Sequence, residues 1–190
     1  MTKRDPLHVG VIVASTRPGR IGGAVAEWFM GQARQRTDMT FDVIDLIETD
    51  LPAVLVRGAD PVVDAYLSRL DAADAFVVVT PEYNHGYPAP LKQAIDLART
   101  EWFAKPVAFV AYGGMAGGMR AVEQLRQVFA ELHATTIRDV VGFHRVRGQF
   151  DEGTLSDAEG ANLAAKTMLD QLAWWATALR DARLRQPYAA

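Results

Sequence analysis

Short runs of β-branched residues alternate with stretches of helical periodicity along the chain, and this alternation constrains the fold more than any other feature. Strands are predicted over Val9 to Val13, Phe41 to Asp45, Ala75 to Val79, Pro106 to Tyr112 and Ile137 to Val141. The third is almost wholly apolar, as a strand covered on both faces must be. Between them apolar residues recur every three or four positions: Ile21, Val25, Trp28 and Phe29; Val63, Tyr66, Leu67 and Leu70; Leu91, Ile95, Ala98 and Trp102; Val122, Leu125, Phe129 and Leu132. A last stripe runs from Ala165 through Met168, Leu169, Leu172 and Ala176 to Leu179. Five βα units without an internal repeat suit one α/β domain over residues 1–190: a three-layer, doubly wound, five-stranded parallel sheet in the order 2-1-3-4-5. A longer loop, Glu48 to Asp60, holds Pro52 and Gly58. In such a sheet ligands sit beyond the carboxyl ends of the strands, where the winding reverses, so those ends should carry unusual residues.

Composition removes several functions. The formal net charge of -3 supplies no basic field for nucleic acid or anionic membrane, and neither partner is expected. Long acidic runs, which an electron carrier docking on basic partners would use, are missing as well. Without cysteine the chain has no disulfide, thiolate metal site, iron-sulfur cluster or catalytic thiol, so redox chemistry needs a borrowed cofactor. His8, His85, His133 and His144 show no ligand or triad spacing, so no metal is expected. Met1 to Pro6 lead straight into a strand, and no apolar run approaches the roughly 20 residues of a membrane helix. A cytoplasmic protein is expected.

The unusual residues lie where the topology predicts. The first strand runs into Ser15, Thr16, Arg17, Pro18, Gly19, Arg20, Ile21, Gly22 and Gly23. Hydroxyls, two arginines and flexible residues thus precede a helix start with free N–H groups, which outlines a phosphate site. It is neither a Walker A loop nor a GxGxxG fingerprint. The third strand ends in Thr80, Pro81, Glu82, Tyr83, Asn84, His85, Gly86, Tyr87 and Pro88, a stiff loop whose amides and aromatics suit a flat heteroaromatic ring. The fourth delivers Tyr112, Gly113, Gly114, Met115, Ala116, Gly117 and Gly118, where backbone can approach a ligand closely. Each loop alone has a plain structural explanation: a capped helix, a rigid turn, a glycine corner. At three adjacent strand ends they describe a phosphorylated flavin.

On these residues the chain resembles the NADPH-dependent FMN reductases, flavodoxin-like proteins that include quinone, azo-dye and chromate reductases. The resemblance rests on Gly10 to Arg20, on Pro81 to Asn84 with Leu91, Lys92, Ala94, Ile95 and Asp96, and on Gly113 to Ala121 with Gln124 to Arg126. It extends to about Val141. It implies that Ser15, Thr16, Arg17 and Arg20, with the helix start at Ile21 and Gly22, hold the FMN phosphate. Pro81, Glu82, Tyr83 and Asn84 would hold the isoalloxazine ring, and Tyr112, Gly113 and Gly114 would close its other side. Two departures stand out: Gln93 replaces a common asparagine, and Gly22 and Gly23 supply no polar side chain where many relatives have one.

The reaction implied is hydride transfer from NADPH or NADH to FMN N5 and then to a small acceptor, such as a quinone, an azo compound, a free flavin or a metal ion. The flavin carries the chemistry and no side chain is demanded as acid or base; His85 is the one histidine in the flavin loop. The competing readings are a flavodoxin-type electron carrier without nicotinamide activity and a flavin-free scaffold. Trp102, Phe103, Trp174 and Trp175 exceed what five helices on one sheet easily bury, so a homodimer or homotetramer with flavins near the interface is expected.

Overall fold

The computed structural model describes residues 5–55, 59–151 and 154–189. Gly58 and Met1 to Arg4 lie outside them. The sheet comprises β1 (Leu7–Val13), β2 (Met39–Asp45), β3 (Ala75–Pro81), β4 (Pro106–Tyr112) and β5 (Thr135–Phe143), all parallel, in the order β2-β1-β3-β4-β5. The chain therefore goes one way from β1 to β2, passes back over β1 to β3, and leaves the reversal between β1 and β3. Every residue of β3 and β4 is buried, while the edge strands β2 and β5 mix buried, half-buried and exposed residues. This explains why only the central strands read as unbroken apolar runs.

Five helices complete the layers: α1 (Gly22–Ala33), α2 (Pro61–Ala72), α3 (Ala89–Asp96), α4 (Met119–Glu131) and α5 (Glu159–Arg185). Side chains of α1 and α5 form one core with one face of the sheet, around Val25, Phe29, Met168 and Leu172. Those of α2, α3 and α4 form the other, around Tyr66, Leu91, Ile95 and Phe129. Start signals work as written in the sequence: the Asp60 carboxylate accepts from the N–H groups of Val62 and Val63 ahead of Pro61, and Pro88 and Pro90 open α3.

Two expectations need correction. The third helix does not reach Trp102; it ends at Asp96, and Thr100–Trp102 form a separate 3-10 turn. The break drops Trp102 wholly into the core between Phe76 and Phe129, with its indole N–H on the Ile95 carbonyl at 3.2 Å. Burying an indole outweighs continuing a short helix by one turn. Trp102 is thus removed from the surface surplus, and Phe103 packs on His133 and Tyr188. Secondly, the connection from β5 to α5 contains a small antiparallel hairpin, β6 (Phe150–Asp151) and β7 (Thr154–Leu155), that the pattern did not predict. Two-residue strands are too short to show a period.

Candidate functional site

The loop after β1 is organised by an ion pair. The Arg20 guanidinium meets both carboxylate oxygens of Asp45, at 2.6 and 2.5 Å, and donates to the Ser15 carbonyl at 2.6 Å. The hydrogen bond with Asp45 pushes its pKa up. Arg20 therefore clamps the loop to the end of β2, and its charge is largely answered by Asp45. Arg17, exposed, lies over the Tyr83 ring at 5.0 Å. The Ser15 and Tyr83 hydroxyls share a hydrogen bond at 2.8 Å, joining the β1 and β3 loops across the reversal point.

Helix α1 begins without a side-chain cap and with no acidic residue in its first turn, in contrast to α2. Its first N–H groups have no partner within the helix, an arrangement that suits an anion. The glycine that starts it has a specific cause. A Cβ at Gly22 would lie 2.5 Å from the Tyr112 hydroxyl, so the aromatic tip occupies the room that a side chain there would need. That hydroxyl is buried and has no hydrogen-bond partner among the described residues. Burial pushes its pKa up, opposed in part by the nearby Ser15 hydroxyl.

The loop after β3 folds into a two-residue hairpin. Tyr83 and Gly86 exchange N–H to O bonds of 2.9 and 3.0 Å, and Asn84 and His85 between them take positive φ. Asn84 and His85 therefore project at an exposed tip. His85 Nε2 stands 2.5 Å from the Arg120 guanidinium, which also pairs with Glu82 at 2.6 Å. Facing a cation, His85 offers a lone pair and is engaged as an acceptor. Gln93, the other departure, donates to the Pro52 carbonyl at 3.1 Å and ties α3 to the loop after β2.

At the end of β4, Gly118 has φ +89, and a Cβ there would fall 2.6 Å from that of Ala111. Only glycine lets α4 turn so tightly from the strand. The Glu82 N–H donates to the Tyr112 carbonyl at 2.9 Å, and the N–H groups of Arg145 and Val146 reach Gly114 and Gly113 at 2.6 and 3.1 Å. The loops after β3, β4 and β5 are thereby laced together by backbone bonds.

These loops enclose a cavity of about 780 Å³, within the ~300–1,000 Å³ typical of ligand pockets. Of the residues singled out in the sequence, Ser15, Arg17, Arg20 and Ile21 line it on one side. Pro81, Glu82, Tyr83, Tyr112, Gly113 and Gly114 line it on the other. Thr16, Gly22 and Asn84 are not among its described walls. Sequence reasoning missed a fourth wall of Arg145, Val146, Arg147 and Phe150. Its signal was faint: two arginines around one valine, directly after a strand end.

Residues 7–147 match the family model of the NADPH-dependent FMN reductases. The chain belongs to that family. It is 37% identical over 127 residues to an NAD(P)H-dependent FMN reductase of Schizosaccharomyces pombe, covering 62% of this chain and 63% of that protein. A second NAD(P)H-dependent FMN reductase, from Saccharomyces cerevisiae, is 32% identical over 154 residues, covering 70% and 79%. The fold is shared with the flavoenzyme NAD(P)H:(acceptor) oxidoreductase of Paracoccus denitrificans at a TM-score of 0.71 and 23% identity, over 89% of this chain and 97% of that one. The family's cofactors are FMN and NAD(P)H, and its fold is flavodoxin-like.

Proposed function

We propose that the chain is an FMN-dependent NAD(P)H oxidoreductase acting on a small acceptor. The observation that carries the reading is the uncapped start of α1, with Ser15 and Arg17, on one wall of a cavity whose other walls are the β3 and β4 loops. The donor set fits FMN: free N–H groups and a guanidinium at one end for a phosphate, and stiff aromatic and glycine backbone at the other for a ring. Bound there, FMN supplies a two-electron acceptor for the nicotinamide and a donor for a quinone, azo compound, free flavin or metal ion.

The protein's part is positioning. Arg20 and Asp45 fix the phosphate loop through bonds internal to the fold, which limits the ordering that binding must impose. Pro81 and the Tyr83 to Gly86 hairpin hold one rim rigid, while Gly113 and Gly114 bring bare backbone to the other. Absorbance of the purified protein and titration with FMN test the reading: one FMN per chain and NADPH oxidation under air are expected. No saturable FMN binding sinks it, and binding without NADPH oxidation reduces it to an electron carrier.

Assembly as a homodimer or homotetramer belongs to the same reading. Its support is the exposed pair Trp174 and Trp175 on α5, whose rings sit edge to face at 5.2 Å. Among the described residues no helix is long and apolar enough to cross a membrane.

A further inference from the structure

Among the described residues four arginines line the cavity, Arg17, Arg20, Arg145 and Arg147, against one acidic residue, Glu82. Arg20 is taken by Asp45 and Glu82 by Arg120. Arg17, Arg145 and Arg147 pair with no carboxylate among the described residues. In a chain of net charge -3, three uncompensated cations around one cavity describe an occupant with more than one anionic group. A single phosphate monoester carries about two charges, and the α1 start with Arg17 already answers it. Arg145 and Arg147 are left over.

Their placement is built. They flank Val146, which is buried in the core shared with α1 and α5. Two backbone bonds tie this segment to Gly113 and Gly114. Arg145 itself is held at φ +47, a conformation uncommon for arginine. The two side chains thus leave an anchored backbone on either side of a core residue, on the wall that the segment after β5 gives the cavity.

Resting on the oxidoreductase reading above, we infer that Arg145 and Arg147 form a second anion subsite that takes the 2′-phosphate of NADPH and makes the protein select NADPH over NADH. A phosphate monoester is a dianion with three terminal oxygens, enough for two bidentate forks; each phosphate of the pyrophosphate bridge is a monoanion with two. Two arginines with no carboxylate partner match the monoester, the one group that distinguishes the two dinucleotides.

The test begins with FMN titration of the wild-type protein, since failure there removes the oxidoreductase reading and this inference with it. Calorimetry on the FMN-loaded protein then compares adenosine 2′,5′-bisphosphate with adenosine 5′-monophosphate. The bisphosphate should bind roughly ten-fold tighter or more, the gain of one charge-assisted contact. Replacing both residues, Arg145→Asn to respect the positive φ and Arg147→Gln, should erase that difference. It should also raise the KM for NADPH to that for NADH, with the FMN dissociation constant unchanged. Three results overturn the inference: equal binding of the two adenosine probes by wild type, equal rises in KM for both dinucleotides, or loss of FMN affinity in the double variant.

Discussion

Arg17 and Arg20 look equivalent in the sequence and are different in the structure. Arg17 is exposed, lies over the Tyr83 ring and answers no carboxylate among the described residues, so its removal acts on the ligand. Arg17→Ala should weaken FMN by about 1.5–3 kcal/mol, the range for a hydrogen bond to a charged group, with thermal stability unchanged. Arg20 is mostly buried and holds Asp45 and the Ser15 carbonyl. Arg20→Ala leaves a carboxylate without its partner, so it should lower the unfolding free energy by roughly 1–3 kcal/mol and weaken FMN only through a loosened loop. Flavin fluorescence titration and denaturant unfolding, run on both variants, separate the two roles. A wild-type unfolding midpoint in Arg20→Ala would show the clamp to be idle.

At the scale of elements, β3 and β4 were legible because burial on both faces leaves almost no choice but apolar residues, and their strand ends were legible because three loops, each with a plain structural explanation alone, fall together at adjacent strand ends. The wall formed by Arg145 and Arg147 was not, since its role depends on backbone bonds to Gly113 and Gly114, which lie more than 30 positions away and leave no local period. The turn to Trp102 was hidden for a related reason: helical spacing cannot say where a helix stops to let one ring enter the core. Strand β4 carries a further consequence, because titratable groups stand at both of its ends. Before it, Lys105 is buried and donates to the carbonyls of Leu70 and Asp71 at the end of α2, at 2.9 Å each. Burial lowers its pKa from 10.5 to about 8. Between those values the unfolded chain binds the extra proton, so stability rises with pH from about 8, by a few kcal/mol in all. At its other end Tyr112, like Tyr66 in the core, is held protonated by burial, and the unfolded phenols ionise from about pH 10 upward. Their contribution, fully present below pH 10, is lost above it. Thermal unfolding across pH 7 to 11 should therefore pass through a maximum near pH 9 to 10, and in Lys105→Met the rise between pH 8 and 10 should vanish.

For the whole molecule, the placement of the aromatic residues bears on assembly. Helix α5 starts beside the hairpin that walls the cavity and ends where Arg180 and Arg183 reach the carbonyls of Asp5, Pro6 and Ala104, at the amino ends of β1 and β4. Trp174 and Trp175 lie about 15 residues into it, roughly 22 Å from its start at 1.5 Å per residue. With Trp102 in the core and Phe103 packed at the same far end, the exposed aromatic surface is separated from the cavity. An assembly through α5 would bury that surface and leave each cavity open to its own substrates. Trp174 is 66% exposed, and a symmetric pairing of the two-ring patch removes apolar area from water at about 25 cal/mol per Å². Light scattering at micromolar concentration should give a dimer or tetramer mass. Trp174→Ser with Trp175→Ser should shift that mass to the monomer while FMN affinity stays within about two-fold, because the contact and the site share no wall. A monomer mass for the wild type removes the assembly altogether, and loss of FMN together with dissociation would place the flavin at the interface after all.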